Sequence, residues 1–173
     1  MKIFGWGRFP VIETNLIAPS SETQLKDELS KGDLIARGNG RSYGDSAIGK
    51  TTTIDMRCFN RMVEFDGDNG SLVAEAGVLL ADIIDVFLPR GWFPIVTPGT
   101  KFVTLGGMIA ADVHGKNHHN YGSMRNSVNW IDLMTSGGEV TRLSPEKNAS
   151  LFNWTIGGMG LTGIILRAEI KLR

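Results

Sequence analysis

The chain has 173 residues, enough for a domain with a real core, and its 42% apolar and 21% charged residues are ordinary for a globular protein. Eighteen basic residues balance eighteen acidic ones, so a net charge of zero gives no electrostatic ground for a nucleic-acid partner. The start, MKIFGWGRFP, lacks the apolar run of a signal peptide, and Asp82 and Asp85 break the most apolar stretch, so none reads as transmembrane.

Ser21 with Gln24 resembles a capping box, Leu25 and Leu29 follow at helical spacing, and Gly32 suits a helix end, so the pattern predicts a helix over 22–31. Asp33–Ala36 reads as a buried strand running into glycine-rich sequence. Thr51–Asp55 and Ser71–Glu75 read as strands, and "FDGDNGS" as a turn between strand regions. Residues 79–88 place Leu79, Leu80, Ile83, Ile84, Phe87 and Leu88 on one helical face, with two aspartates opposite. "RGWFPIVTPGT" reads as a helix stop, a short strand and a turn. Residues 103–111 predict a short helix despite Gly106 and Gly107. Val128–Thr135, Glu139–Leu143 and Ile164–Leu172 read as strands, the first two joined by "SGG". Helices fall among strands without a regular βαβ alternation, which argues for an α+β fold.

The 22 glycines cluster, which marks tight turns or close approach of backbone. "ARGNGRSYGDS" at 36–46 follows a strand, and its amides can converge on a phosphate. Ser42, Tyr43, Arg37 and Arg41 add donors and charge; an ordinary turn with solvated arginines is the alternative. Thr104–Gly107 would open a helical turn whose unbonded N–H groups also favour a phosphate, with glycines sparing room for a ligand. "GGMGLTGII" at 157–165 matches G-x-G-x-x-G, but it precedes a β-branched run and only ten residues remain after Gly163. A dinucleotide fingerprint should instead follow a strand and open a helix. Close packing on a ligand or a neighbouring strand fits better.

"HGKNHH" at 114–119 holds every histidine. His114 and His118 have an i, i+4 spacing, but Gly115 and Asn117 disfavour a helix there and no carboxylate falls at a ligand spacing, so no metal is expected. No nucleophile elbow is present for a hydrolytic triad. His118 and His119 also read as loop polar residues. His114 follows an apolar segment and can press on a flat ligand. Lone Cys58 allows no internal disulfide and points to a reducing, cytoplasmic setting.

Together, "RGNGRSYGDS", "PGTKFVTLGGMIAADVHGKNHH" and "GGMGLTGII" resemble the FAD-binding domain of vanillyl-alcohol-oxidase type flavoproteins, with most likeness to the decaprenylphosphoryl-β-D-ribose 2′-oxidase group of FAD-linked oxidases. The likeness covers roughly 35–172. It implies a PCMH-type fold of two small α/β subdomains that sandwich FAD. It implies that Ala36, Arg37, Gly38, Asn39, Gly40, Arg41, Ser42, Tyr43, Gly44, Asp45 and Ser46 hold the pyrophosphate. Gly99, Thr104, Leu105, Gly106 and Gly107 would cover the pyrophosphate and ribityl chain. His114, Gly115, Lys116 and Asn117 would lie beside the isoalloxazine, with His114 and Lys116 as catalytic candidates. Ile164 or Ile165 would touch the adenine end. A cation at Lys116 would favour an anionic reduced flavin.

Many relatives attach FAD through a histidine in the first loop; Arg41 stands at that position here, so the implied flavin is non-covalent. Family members also continue into a substrate-binding domain, so 1–173 reads as an FAD-binding domain without that part. The implied activity is hydride transfer from a sugar or lipid-linked sugar alcohol to the flavin. The alternative is a nucleotide- or phosphate-binding module without redox chemistry.

Overall fold

The computed structural model describes all 173 residues. Its centre is a five-stranded antiparallel sheet built from β6 (Met62–Asp66), β7 (Ser71–Glu75), β8 (Val128–Met134), β9 (Val140–Leu143) and β10 (Ile164–Lys171), in the order β6-β7-β10-β8-β9. β10 is central because it is apolar on both faces. Ile165, Ala168, Ile170 and Leu172 join the larger core, while Ile164 and Leu166 join the smaller one. Strand side chains alternate with a period of two. The irregularity between Ile165 and Arg167 re-phases that alternation, so odd positions face the larger core before it and even positions after it.

The larger core is closed by α2 (Leu80–Phe87), α3 (Leu105–Ala110) and α5 (Ala149–Thr155), which contribute Leu80, Ile83, Phe87, Leu105, Met108, Ile109 and Phe152. A 3₁₀ turn, Leu88–Arg90, extends α2 and stops where Gly91 takes φ 84°, a left-handed conformation that favours glycine. On the opposite face lies a three-stranded parallel sheet of β3 (Asn15–Ile17), β4 (Leu34–Arg37) and β5 (Thr52–Asp55), in the order β3-β5-β4. Parallel strands need a crossover, and α1 (Glu22–Leu29) supplies it between β3 and β4. Ser21 caps α1 by accepting from the Gln24 N–H at 3.2 Å. Leu25, Ile54, Met56 and Phe59 meet Met134, Ile164 and Leu166 between the two sheets. The mixed α+β architecture with two subdomains agrees with expectation; the parallel pairing was not legible from the pattern. A short hairpin of β1 (Lys2–Ile3) and β2 (Ile12–Glu13) precedes the sheets.

Buried Asp132 on β8 ties the central strands. It accepts from Arg142 Nε at 2.8 Å and Arg167 Nε at 2.7 Å. Burial alone raises this carboxyl, but the two arginines more than reverse that and hold it below the usual carboxylate range.

Two local readings are corrected and one helix is new. Residues 92–96 form no strand, only a bridge between Pro94 and Leu172, since proline cannot donate to a ladder. Ala149–Thr155 is a helix that the pattern concealed: Asn148, in the left-handed region at φ 57°, precedes it without a side-chain cap, and Trp154 points outward. A short helix, α4 (His118–Tyr121), begins within the histidine cluster. No helix is long and apolar enough to cross a membrane.

Candidate cofactor cleft

One cleft opens at the carboxyl ends of β4 and β5, where parallel strands commonly present a ligand site. Three chain segments converge on it. Ala36–Ser42, Ser46 and Ala47 come from the first glycine loop. Val103, Thr104, Gly106, Gly107, Ala110, Ala111 and Val113 come from α3 and its flanks. Met159, Gly160, Gly163 and Ile165 come from the turn before β10 and its start, while Met56 and Ala76 complete the lining. The enclosed volume is about 150 Å³. A drug-sized ligand site encloses roughly 300–1,000 Å³, so the closed part holds only a portion of a dinucleotide.

The first loop is distinguished by its unspent donors. None of the seven backbone N–H groups from Gly38 to Gly44 bonds to another group of the protein. Gly40 and Gly44 take φ 63° and 59°, which turn the chain in a way that L-residues resist. The Ser42 Oγ is buried without a partner. Buried polar groups are ordinarily bonded, so this hydroxyl, with the unbonded amides beside it, is available to an acceptor from a ligand. Arg37 donates through Nη2 to Phe4 O at 2.7 Å, and burial pulls its guanidinium below the ordinary arginine value. The Cβ of an alanine at 38 would strike the Thr104 side chain, so Gly38 lets the loop lie against the start of α3.

The start of α3 is different, and one expectation is overturned there. Its N–H groups are not open to a phosphate. Leu105 N donates to Val78 O at 2.8 Å and Gly106 N to Ala76 O at 2.8 Å. Gly107 N donates to Thr104 Oγ1 at 3.3 Å and Met108 N to Thr104 O at 2.9 Å. Nor does Gly106 spare room for a ligand: a Cβ there would sit 2.8 Å from Ala76 Cβ. Thr104, Gly106 and Gly107 offer the cleft surface rather than open donors, and Leu105 is wholly buried in the core, off the lining.

Other implied residues divide. Tyr43, Gly44, Asp45 and Gly99 are exposed and do not line the cleft. Ile165 lines it, while Ile164 turns to the smaller core, since consecutive strand residues face opposite ways. His114, Gly115, Lys116 and Asn117 stand just beyond the lining, which ends at Val113. His114 is exposed, and its ring lies 5.3 Å from that of His118. Gly115 is held tight: a Cβ there would be 2.6 Å from Thr97 O. Asn117 Nδ2 donates to Ile95 O at 3.0 Å, while its Oδ1 is buried without a partner. Ala47, Ala76, Ala110, Ala111 and Met159 were missed. The pair "AA" at 110–111, ending a glycine-opened helix, was the available signal of a close-approach surface.

The two-sheet α+β fold and its amide-bordered cleft are those of a ligand-binding domain whose class the sequence comparison gives. The chain belongs to the FAD-binding domain family, which it matches over residues 15–144. FAD is therefore its cofactor, and the amides and buried hydroxyl of the first loop fit a pyrophosphate. The chain is 43% identical over 181 aligned residues to decaprenylphosphoryl-beta-D-ribose oxidase of Mycolicibacterium smegmatis, an alignment that covers 99% of this chain and 39% of the relative. It is 32% identical to cytokinin dehydrogenase 9 of Oryza sativa subsp. japonica, covering 86% of this chain and 29% of the relative. It is 29% identical to D-lactate dehydrogenase of Anaerostipes hadrus, covering 75% of this chain and 28% of the relative. The chain thus spans less than two fifths of these relatives' length.

Proposed function

We propose that residues 1–173 are the cofactor half of a flavin-dependent oxidoreductase that oxidises a carbinol carbon of a sugar, of the polyprenyl-phosphoryl ribose kind, to a ketone. The observation that carries this reading is the run of seven unbonded amides at Gly38–Gly44, beside a buried unpartnered Ser42 Oγ, in a chain of the FAD family. The sugar class is supported by the name of the 43% identical relative.

FAD, when bound, supplies the two-electron chemistry. This chain's residues bind and orient. The amides of 38–42, in the part of the loop that lines the cleft, hold the pyrophosphate. The apolar side chains of Val103, Ala110, Val113 and Ile165 keep water from the cofactor. In this reading exposed His114 and Lys116, next along the chain from Val113, meet the flavin ring and the substrate. Lys116 would favour negative charge on the ring. Arg41 offers no imidazole for a covalent link, so the flavin is held non-covalently. In this reading the base and most of the substrate pocket come from elements outside residues 1–173. Exposed, solitary Cys58 supports a reducing, cytoplasmic setting.

The test is a titration of the purified chain with FAD, followed by flavin fluorescence, and a competition with ADP. Stoichiometric binding, release of FAD on acid precipitation, and FAD tighter than ADP are expected. His114→Ala should narrow that preference. No binding in excess FAD would overturn the proposal. The cleft lining stops one residue short of His114, and this favours a second reading, a non-redox nucleotide- or phosphate-binding module. Equal affinities for ADP and FAD would support it.

A further inference from the structure

We propose that Arg8, Arg37 and Arg41, bordered by the N-terminal segment Phe4–Arg8, form an open second anion site that takes a phosphate group other than the cofactor's own. The chamber is lined by Phe4, Gly5, Trp6, Arg8, Arg37, Gly40 and Arg41 and by no acidic residue. The chain as a whole is neutral. Of the other seven arginines, Arg57, Arg61, Arg125, Arg142 and Arg167 each have a carboxylate within 4.0 Å, and Arg90 and Arg173 stand apart on the surface. Arg8, Arg37 and Arg41 have none at that range. Like charges gathered in one chamber destabilise one another, and an anion reverses that cost. Planar guanidinium forks match phosphate oxygens in pairs.

The chamber is built, not incidental. Trp6 N donates to Ser42 O at 2.8 Å, and Arg37 Nη2 to Phe4 O at 2.7 Å. Arg41 Cζ lies 5.3 Å from the Trp6 ring centre. Gly5 presses so closely on the glycine loop that a Cβ would fall 2.6 Å from Ser42 O and 2.7 Å from Gly44 O. The segment therefore lies flush on the outer side of the loop. It also lies before the stretch matched to the FAD family, residues 15–144. Arg37, Gly40 and Arg41 form a wall shared with the flavin cleft, whereas Arg8 borders only the chamber. Exposed Phe4, Trp6 and Phe9 flank it, so the phosphate could be free or carried on an apolar alcohol.

Arg8 is the diagnostic residue. It holds φ 58°, a conformation asparagine tolerates, so Arg8→Asn removes the charge while respecting the backbone. The experiment is calorimetric titration of inorganic phosphate, and separately of butyl phosphate, into the FAD-saturated chain. One phosphate per chain is expected, weakened about tenfold or more in Arg8→Asn, as for loss of a hydrogen bond to a charged group. FAD affinity should stay within about twofold and Arg8→Lys should restore part of the binding, because a lysine still supplies a charged donor. Tighter binding of butyl phosphate would identify an esterified ligand, and equal binding a free one; either supports the site. Phosphate binding that vanishes on FAD saturation would make the chamber part of the cofactor seat and overturn the proposal. Unchanged binding in a folded Arg8→Asn chain would overturn it as well.

Discussion

The first glycine loop and the start of α3 border the same cleft and are similarly rich in glycine, yet their backbones are in opposite states. From Gly38 to Gly44 no amide is bonded within the protein. From Leu105 to Met108 every amide is bonded. The difference teaches that glycine content alone does not mark an anion site. Glycine permits either a left-handed turn with outward amides, as at Gly40, or tight packing of helix on strand, as at Gly106 on Ala76. The accounting of backbone donors separates the two.

That contrast can be broken by experiment. The largest effect is expected from Gly106→Val. Its Cβ meets Ala76 Cβ at 2.8 Å and Ala76 O at 3.2 Å, and Ala76 is held by its N–H donating to Leu166 O at 2.8 Å. Overpacking of this kind costs about 1–3 kcal/mol, a melting temperature lower by roughly 2–12 °C for a chain of this size. Scanning calorimetry checks it; a variant that melts like the parent would show that Gly106 is not packed as described.

Gly40→Ala should act chiefly on the cofactor. The substitution forces an L-residue to φ 63° and drives its Cβ into Arg37, so the amide cradle should distort. A left-handed residue costs about 1–2 kcal/mol. FAD affinity is expected to fall about tenfold, the equivalent of ~1.4 kcal/mol. Flavin fluorescence titration decides it, and an unchanged affinity would detach the loop from the pyrophosphate.

Thr104→Val sharpens the comparison. It removes the oxygen that accepts from Gly107 N, a cap worth about 1 kcal/mol. Stability should drop by that amount in urea titration, while FAD affinity stays within about twofold, because α3 gives the cofactor surface and not donors. A loss of affinity as large as that of Gly40→Ala would mean that α3 does hold the phosphate.

The smallest effect lies away from the cleft and serves as a control. Asp132 is held below its unfolded value by Arg142 and Arg167, so its contribution is fully present above about pH 4 and fades as the pH falls through the folded value. Urea unfolding should show stability declining with acid below about pH 4, and Asp132→Asn should flatten that slope without moving FAD affinity at neutral pH.

Much of this protein was readable before its structure. The capping pair Ser21 and Gln24 placed α1, and the apolar stripe of 79–88 placed α2. Both are local signals, carried by residues within one or two turns of each other. The first loop was readable as a candidate anion site because its glycines, arginines and Ser42 are contiguous, and the structure leaves its amides unbonded. The start of α3 misled because its donors are consumed by Ala76 and Val78, which are distant in sequence. Ile164 misled because a strand's facing depends on register and on a bulge two residues later. The Phe4–Arg8 segment carried no periodic signal, and its role emerged from contacts more than thirty residues away.

What the sequence determined alone was the local conformational menu: where the chain can turn left-handed, where a helix starts, and which loop gathers glycines with hydroxyl and basic side chains. Only the tertiary structure decided which amides remain open, which glycines pack on a strand, and which three arginines share one chamber. The physical reason is that hydrogen bonds and close contacts are pairwise. A residue states what it can donate or fit, but its partner is chosen by the fold.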